Sequence, residues 1–332
     1  MTLLEANRRR YELERERILR ALGGPFEDGG AVWAIEHVGP GSLGDAEGCV
    51  HIALDAYPDP LPETGRAALE ALGYHLAAEI PEEHTYCQSE RQVTLHAVMH
   101  DSGRWEDLVL VRDYLRSGGE QGSASERLPS RARAWHVRET GFAPVEFLRR
   151  EFEGASFRWL VASGWALDLH AGTPSRPHRD LDVTVPRAQQ LALQTHLLKR
   201  GWRLDVSLGG QYRPWGAGET LELPLHQIHA RQGGQFLDLM LSEEREGSWA
   251  FRRQPDITRA WEKAEQPSAL GVTYLAPEIV LLFKSGLLEG RARRKDAQDF
   301  ERTLPTLSGE ARAWLRESLA AYRPGHSWLE RL

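Results

Sequence analysis

The chain has 332 residues, 41% of them hydrophobic and 27% charged, with a formal net charge of −7. That is the composition of a soluble globular protein long enough for two ordinary domains, and no apolar run approaches the ~20 residues a membrane-spanning helix needs. Residues 1–122 carry 11 Lys+Arg and 22 Asp+Glu (net −11) and residues 123–332 carry 30 and 26 (net +4), so the acidic front half argues against nucleic-acid binding and the mildly basic back half lacks the basic–aromatic run that such binding uses.

In chain order, MTLLEANRRRYELERERILRAL is Arg/Glu-rich with no apolar signal core, and reads as an amphipathic helix over Leu3 to Leu22. A strand at AVWAIEHV, a Gly-rich turn at GPGSLGDAEG, a strand at CVHIAL, a helix at TGRAALEALG stopped by Gly73, a strand at RQVTLHAVMH and a helix at WEDLVLVRDYLRS follow. In that last helix Leu108, Val111 and Leu115 share a face. The Gly/Ser/Glu/Arg-rich stretch 116–133 has no hydrophobic periodicity and reads as a linker. The expected division is a domain at 1–118, a linker at 119–138 and a domain at 139–332.

The back module repeats the order strand, Gly turn, strand, helix. FRWLVA is short and apolar, DLDVTVP is a strand stopped by Pro186, and RAQQLALQTHLLKRG is a helix stopped by Gly201. ELPLHQIHA and QFLDLML read as strands joined by RQGG. APEIVLLFKSGL, with Pro277 in its first turn, begins a helical end that continues through RRKDAQDFERTL and SGEARAWLRESLAAY. The two cysteines, Cys49 and Cys87, give no disulfide framework and no metal-ligand spacing, so a reducing, cytoplasmic setting is expected. Only four of the basic residues are lysines: Lys199, Lys263, Lys284 and Lys295.

The chemistry gathers in SGWALDLHAGTPSRPHRDLDVTVP, residues 163–186. Positions i and i+2 of a strand share a face, so Asp180 and Asp182 project together while Leu181 and Val183 point to the core. Two adjacent carboxylates repel unless a cation lies between them, and Mg²⁺, a hard ion, takes oxygen ligands. Asp238, alone among Leu237, Leu239 and Leu241 in QFLDLML, is the candidate third acid. Three carboxylates on adjacent strands suit metal-assisted phosphoryl or nucleotidyl transfer, and the small turn Ser163-Gly164 would let backbone N–H groups approach phosphate oxygens. The fragment HRDLD echoes a kinase catalytic loop, but Val185 stands where that loop needs Asn, so a kinase is excluded.

This segment closely resembles the aminoglycoside 2''-adenylyltransferase family, within the DNA polymerase β nucleotidyltransferase superfamily. The family's Gly-Gly-Trp-Ala start, acid, Gly, Arg-x-His and Asp-x-Asp are here Ser163-Gly164-Trp165-Ala166, Asp168, Gly172, Arg176, His178, Asp180 and Asp182, with Ser163 in place of the first Gly. The resemblance implies that Asp180 and Asp182 bind Mg²⁺, that Asp238 is a metal ligand or general base, and that Ser163 and Gly164 hold the triphosphate. Arg176 and His178 would flank it, His178 being alternatively a brace for the loop. YLAPEIVLLFKS and RRKDAQDF resemble the segments that follow in related enzymes, where Lys284, Lys295 and Asp296 are nucleotide or structural contacts.

In the front module, AIEHVGPGSLG and VRDYLRS resemble the GrpB-like family through Ile35 to Gly39, Ser42 and Arg112 to Arg116. That family's Lys-Pro and strand acid are missing: Cys49-Val50 replaces the first, Ala53 or a neighbour the second, and Asp55 is expected just outside the strand. The front module is therefore expected to keep the fold without the catalysis.

The resulting expectation is an α/β (α+β) chain of two tandem DNA polymerase β-type nucleotidyltransferase folds, with mixed sheets flanked by helices and a helical C-terminal end. The second domain would move AMP from ATP, or another nucleotide, with Mg²⁺ to a hydroxyl of a small molecule such as an aminoglycoside-like compound. An interaction between the two domains is expected, and neither membrane nor nucleic acid is expected as a partner. The alternatives are a protein-modifying nucleotidyltransferase of a toxin–antitoxin pair, or a non-enzymatic nucleotide- or partner-binding protein.

Overall fold

The computed structural model describes residues 2–22, 32–43, 49–56, 61, 63–80, 83–99, 104–119, 127–208, 211–233, 235–286 and 294–332. The chain divides into two compact units, Met1–Glu139 with Gly210–Tyr212, and Thr140–Gly209 with Arg213–Leu332. Among the described residues no helix is long and apolar enough to cross a membrane.

The first unit runs α1 (Leu3–Leu22), β1 (Val32–Val38), β2 (Val50–Ala56), α2 (Glu63–Ala71), β3 (His75–Ile80), β4 (Glu83–Gln88), β5 (Val93–Met99), α3 (Arg104–Arg116) and α4 (Leu128–Thr140). Its sheet has the order β1-β2-β5-β4-β3, with β2 and β5 parallel. α1 buries one stripe, Asn7, Tyr11, Glu14 and Ile18, at helical spacing. Glu14 is tolerated there because Tyr74 Oη donates to it at 2.9 Å and Arg91 Nε at 3.1 Å. Ile35, Ile52, Leu54, Leu95 and Ala97 supply the core face of the sheet.

The sequence reading and the structure differ in this unit at several points. β3 and β4 occupy a stretch to which no strand was assigned, because β3 is exposed along its whole length and shows no alternation. Asp55 lies inside β2, fully buried, not beyond its end. Leu110 is the buried residue of α3, whereas Leu108, Val111 and Leu115 are half-buried. The expected linker 119–138 holds most of helix α4, and the first unit runs on to Glu139. Residues 44–48 of the Gly-rich turn and 120–126 of the linker lie outside the described residues.

The second unit comprises α5 (Ala143–Glu151), β6 (Leu160–Val161), α6 (Ser163–Ala171), β7 (Leu181–Pro186), α7 (Gln190–Lys199), β8 (Arg203–Leu208), β9 (Gln211–Pro214), β10 (Gln227–Gln232) and β11 (Gln235–Arg245). It continues with β12 (Ser248–Ala250), β13 (Thr258–Arg259), α8 (Trp261–Ala264), β14 (Glu265–Pro267), β15 (Thr273–Leu275), α9 (Pro277–Lys284), α10 (Arg294–Thr303) and α11 (Gly309–Tyr322). The main sheet order is β14-β15-β6-β7-β11-β10-β8-β9, with β7 and β11 parallel. Strict alternation sorts its two faces: Leu181, Val183, Val185, Leu237, Leu239, Leu241, Ile228, Ala230, Leu204 and Val206 are all in the core. α6 is buried from Gly164 to Leu169 and packs as a central helix, so it shows no amphipathic pattern.

Candidate active site

The polar face of the second sheet is organised by register. Asp182 on β7 is the direct partner of Asp238 on β11, Asp238 that of His229 on β10, and His229 that of Asp205 on β8. Paired positions project to the same face, so four ionisable side chains form a row across the sheet. Asp180 lies just before β7. Burial and then the Asp180 charge push the Asp182 carboxyl up to about 7, against the pull of Lys284, a hydrogen bond from Ser163, and Lys295. Burial, Asp182 and Asp180 raise Asp238 well above the usual carboxylate range. Its side chain is 16% exposed, and the Gln227 amide Nε2 donates to both of its oxygens, at 3.0 and 2.8 Å. His229 Nε2 lies 3.9 Å from Asp238 Oδ1. Burial, with Arg231 nearby, lowers the His229 pKa to about 4, so the ring is neutral. Asp205 is buried and paired with Arg203 and Arg231.

The other wall is the start of α6. β6 is antiparallel to β7, and the Ala162 N–H donates to the Asp182 carbonyl at 2.9 Å, which delivers the chain to Ser163 beside the acids. The first N–H groups of a helix have no partner within it and favour anions. Gly164 is closely packed here: a Cβ would lie 2.3 Å from His178 Cε1 and 3.0 Å from Arg176 Nη2, so those side chains would have to shift.

Behind this wall runs an ion-pair network. His178 is bonded to the fully buried Asp168 at 2.6 Å, and Ser175 Oγ donates to the same carboxylate at 2.6 Å. Arg176 Nη1 is 3.0 Å from His178 Nδ1, and its Nη2 donates to Asp299 at 3.1 Å. Lys284, 5% exposed, pairs with Asp296 at 2.8 Å and Asp299 at 2.9 Å. Arg302 bridges Asp168 and Asp299 at 3.2 Å each. Burial works against the Asp299 charge, but Lys284 and Arg176 hold its pKa down to about 2.

Asp180, Asp182, Ser163 and Gly164 thus come together with Asp238. Arg176 and His178 sit over Gly164, with His178 in the bracing arrangement. Lys284 and Asp296 are committed to each other inside the protein, and Lys295 on α10 acts on Asp182 through its charge. Gln227, His229, Asp205, Asp299 and Arg302 were not singled out in the sequence. Alternation in QIHA places Gln227 and His229 on one face, but only the register puts that face beside Asp238.

The carboxylates suit a hard divalent ion by donor type, and their mutual repulsion is what a cation would relieve. They are not drawn into a closed cage: among the described residues no group of three His, Cys, Asp or Glu side chains is arranged to hold a metal. The Gln227 amide donates to both Asp238 oxygens, and each keeps a second lone pair that an ion at Asp182 could use.

Paired acids on adjacent strands beside a helix start are an arrangement that suits metal-assisted nucleotidyl transfer. Residues 5–135 match the family model for the GrpB protein, and residues 147–267 match that for aminoglycoside-2''-adenylyltransferase. The two matches cover separate parts of the chain, each less than half of it. The second match contains Ser163, Gly164, Arg176, His178 and all three acids, and ends before Lys284 and Lys295. A search of curated proteins gives no match. Among solved structures, a crystal structure of ANT(2")-Ia in complex with adenylyl-2"-tobramycin is 15% identical, covering 54% of this chain and 97% of that one at a TM-score of 0.39. The lincomycin-bound lincosamide antibiotic adenylyltransferase LnuA is 17% identical, with 49% and 96% coverage at 0.36. A nucleotidyltransferase-like protein from Paracoccidioides brasiliensis is 19% identical, with 57% and 91% coverage at 0.32.

Proposed function

We propose that the second unit transfers AMP from ATP to a hydroxyl of a small molecule, with Mg²⁺ held by Asp180, Asp182 and Asp238. The observation that carries this is the Asp182–Asp238 pair in register beside the Ser163-Gly164 helix start, within the family match. When bound, the ion supplies charge neutralisation for the triphosphate. The N-terminal turn of α6 receives phosphate oxygens, and Gly164 keeps that approach free of a side chain. Asp238 is the base: it takes the proton of the acceptor hydroxyl, whose oxygen bonds to the α-phosphorus as pyrophosphate leaves. A raised carboxyl pKa suits that role. Arg176 and His178 hold the loop over Gly164. The family description points to an aminoglycoside-like acceptor.

The test is transfer of label from α-labelled ATP to a panel of hydroxyl compounds that includes aminoglycosides. Label should move to one of them in a Mg²⁺-dependent way, and Asp182→Asn should abolish it. Labelling of a co-purifying protein instead would favour the protein-modifying reading. Equal transfer by Asp182→Asn would remove the proposal.

We propose further that the GrpB unit keeps this fold without metal chemistry. β2 and β5 are parallel, as β7 and β11 are, and Ala53 pairs with His96 as Asp182 pairs with Asp238. His51, two residues earlier, then stands for Asp180. At these two positions a histidine relay stands in place of the paired acids: His51 Nδ1 is 3.1 Å from His96 Nε2, His96 Nδ1 is 2.7 Å from Glu83 Oε1, and Arg104 Nε donates to Glu83 at 2.6 Å. Burial and then His96 lower the His51 pKa, so the ring is neutral. Burial opposes the Glu83 charge, but His96 and Arg104 hold its pKa down to about 2, and the charge is already matched. Nothing in this set attracts a hard cation. A Mg²⁺–ATP stoichiometry of two per chain would contradict it.

A further inference from the structure

Ser163 has φ +53, in the left-handed region that favours glycine. Strain of this kind at a site persists where the surroundings hold it, and an observed outlier is a reason to ask what it serves. The chain is fixed on one side by the Ala162 N–H bond to the Asp182 carbonyl, 2.9 Å. On the other side Gly164 is packed under His178 and Arg176, which a side chain would have to displace. A glycine at 163 would take the same backbone without strain, so what serine adds is its hydroxyl. That hydroxyl is hydrogen-bonded to the Asp182 side chain. Asp182 has like charges on both sides, Asp180 and Asp238, and the Lys284 and Lys295 charges act in the same sense as the Ser163 bond.

We infer that Ser163 is a positioning residue for Asp182: its hydroxyl holds that carboxylate, against the push of the neighbouring acids, in the orientation that receives a divalent cation. The hydroxyl acts through Asp182 and not by contact with the nucleotide, which the backbone at the start of α6 faces. The inference rests on the reading of the three acids as cation ligands. It also accounts for the strained serine at this position. A hydrogen bond to a charged group is among the stronger ones, and its loss is expected to weaken the cation site about tenfold or more.

The experiment is calorimetric titration of the full chain, as wild type, Ser163→Gly, Ser163→Ala and Asp182→Asn, with Mg²⁺ at saturating ATP and with ATP at saturating Mg²⁺. Ser163→Gly removes the hydroxyl and relieves the backbone, whereas Ser163→Ala removes the hydroxyl and keeps the strain. Both should raise the half-saturating Mg²⁺ concentration about tenfold or more and leave ATP affinity at saturating Mg²⁺ near wild type. If Ser163→Gly keeps the wild-type Mg²⁺ requirement, while Asp182→Asn loses binding, the inference on Ser163 falls and the metal site stands. Loss in Ser163→Ala alone would assign the effect to the backbone and also overturn it. An equal loss of ATP affinity at saturating Mg²⁺ would mean direct nucleotide contact and overturn it as well. Asp182→Asn binding like wild type, or wild type failing to bind, would remove the metal reading and this inference with it.

Discussion

Asp182 and Asp238 face each other across the parallel β7–β11 pair, and both carboxyls are pushed up, Asp238 by burial and then by Asp182, Asp182 by burial and then by Asp180. Two core strands place two carboxylates side by side in a region poor in water, and the cost is met elsewhere, in Leu237, Leu239, Leu241, Val183 and Val185 beneath them. Such a pair is unfavourable for the fold alone, which is why it marks a site.

The pair sets a pH dependence. Asp182 titrates at 3.8 ordinarily and at about 7 in the folded chain. Between those values the folded state holds the extra proton, so this group's contribution to stability is full below the lower value and is lost as pH rises toward the upper one. A cation needs the ionised form. Mg²⁺ binding should therefore tighten as pH rises through about 7 and release a proton near neutrality. Titrations in buffers of different ionisation enthalpy measure that proton; Mg²⁺ affinity that is flat with pH would count against the coupling.

Lys284→Met tests a different part of the site. Lys284 neutralises Asp296 and Asp299, which are 0% and 1% exposed. Removing one partner of a buried pair leaves uncompensated charge, at a cost of about 3–5 kcal/mol. Chemical denaturation should show a loss of that size. Wild-type stability with weakened ATP binding would instead make Lys284 a nucleotide contact.

The Lys284 result bears on what the sequence could say. The pattern Ser163 to Asp182 and the lone acid at 238 were legible because alternation and local spacing carry them. Lys284 was legible as a residue to watch but not as a buried one, since its partners Asp296 and Asp299 come from another helix and nothing local announces the pairing. Gln227 and His229 were hidden for the same reason: register is a long-range property. β3 was missed because an exposed edge strand does not alternate. Helix α4 was missed because only Ala132 of it is buried, so its sequence shows no apolar stripe and reads as linker.

Gly164→Ala should destabilise the second unit by about 1–3 kcal/mol through overpacking. The new methyl lies against the His178 ring, which must move and loosen its bond to buried Asp168. Thermal melting checks it; a melting temperature equal to wild type would show that the loop of Arg176 and His178 yields freely.

His51→Ala with His96→Ala should leave Mg²⁺–ATP binding as in wild type, because the first unit offers no cation site of its own. Calorimetry on the double variant reads this directly. A fall in stoichiometry would mean that the first unit binds nucleotide after all.

The most direct test of the central claim is the binding of Mg²⁺–ATP to the wild-type chain and to Asp180→Asn/Asp182→Asn, by calorimetry. The account expects one nucleotide per wild-type chain, dependent on Mg²⁺, and none in the variant. No binding by wild type to any nucleoside triphosphate, or undiminished binding by the variant, would contradict a metal–triphosphate site at Asp180, Asp182 and Asp238.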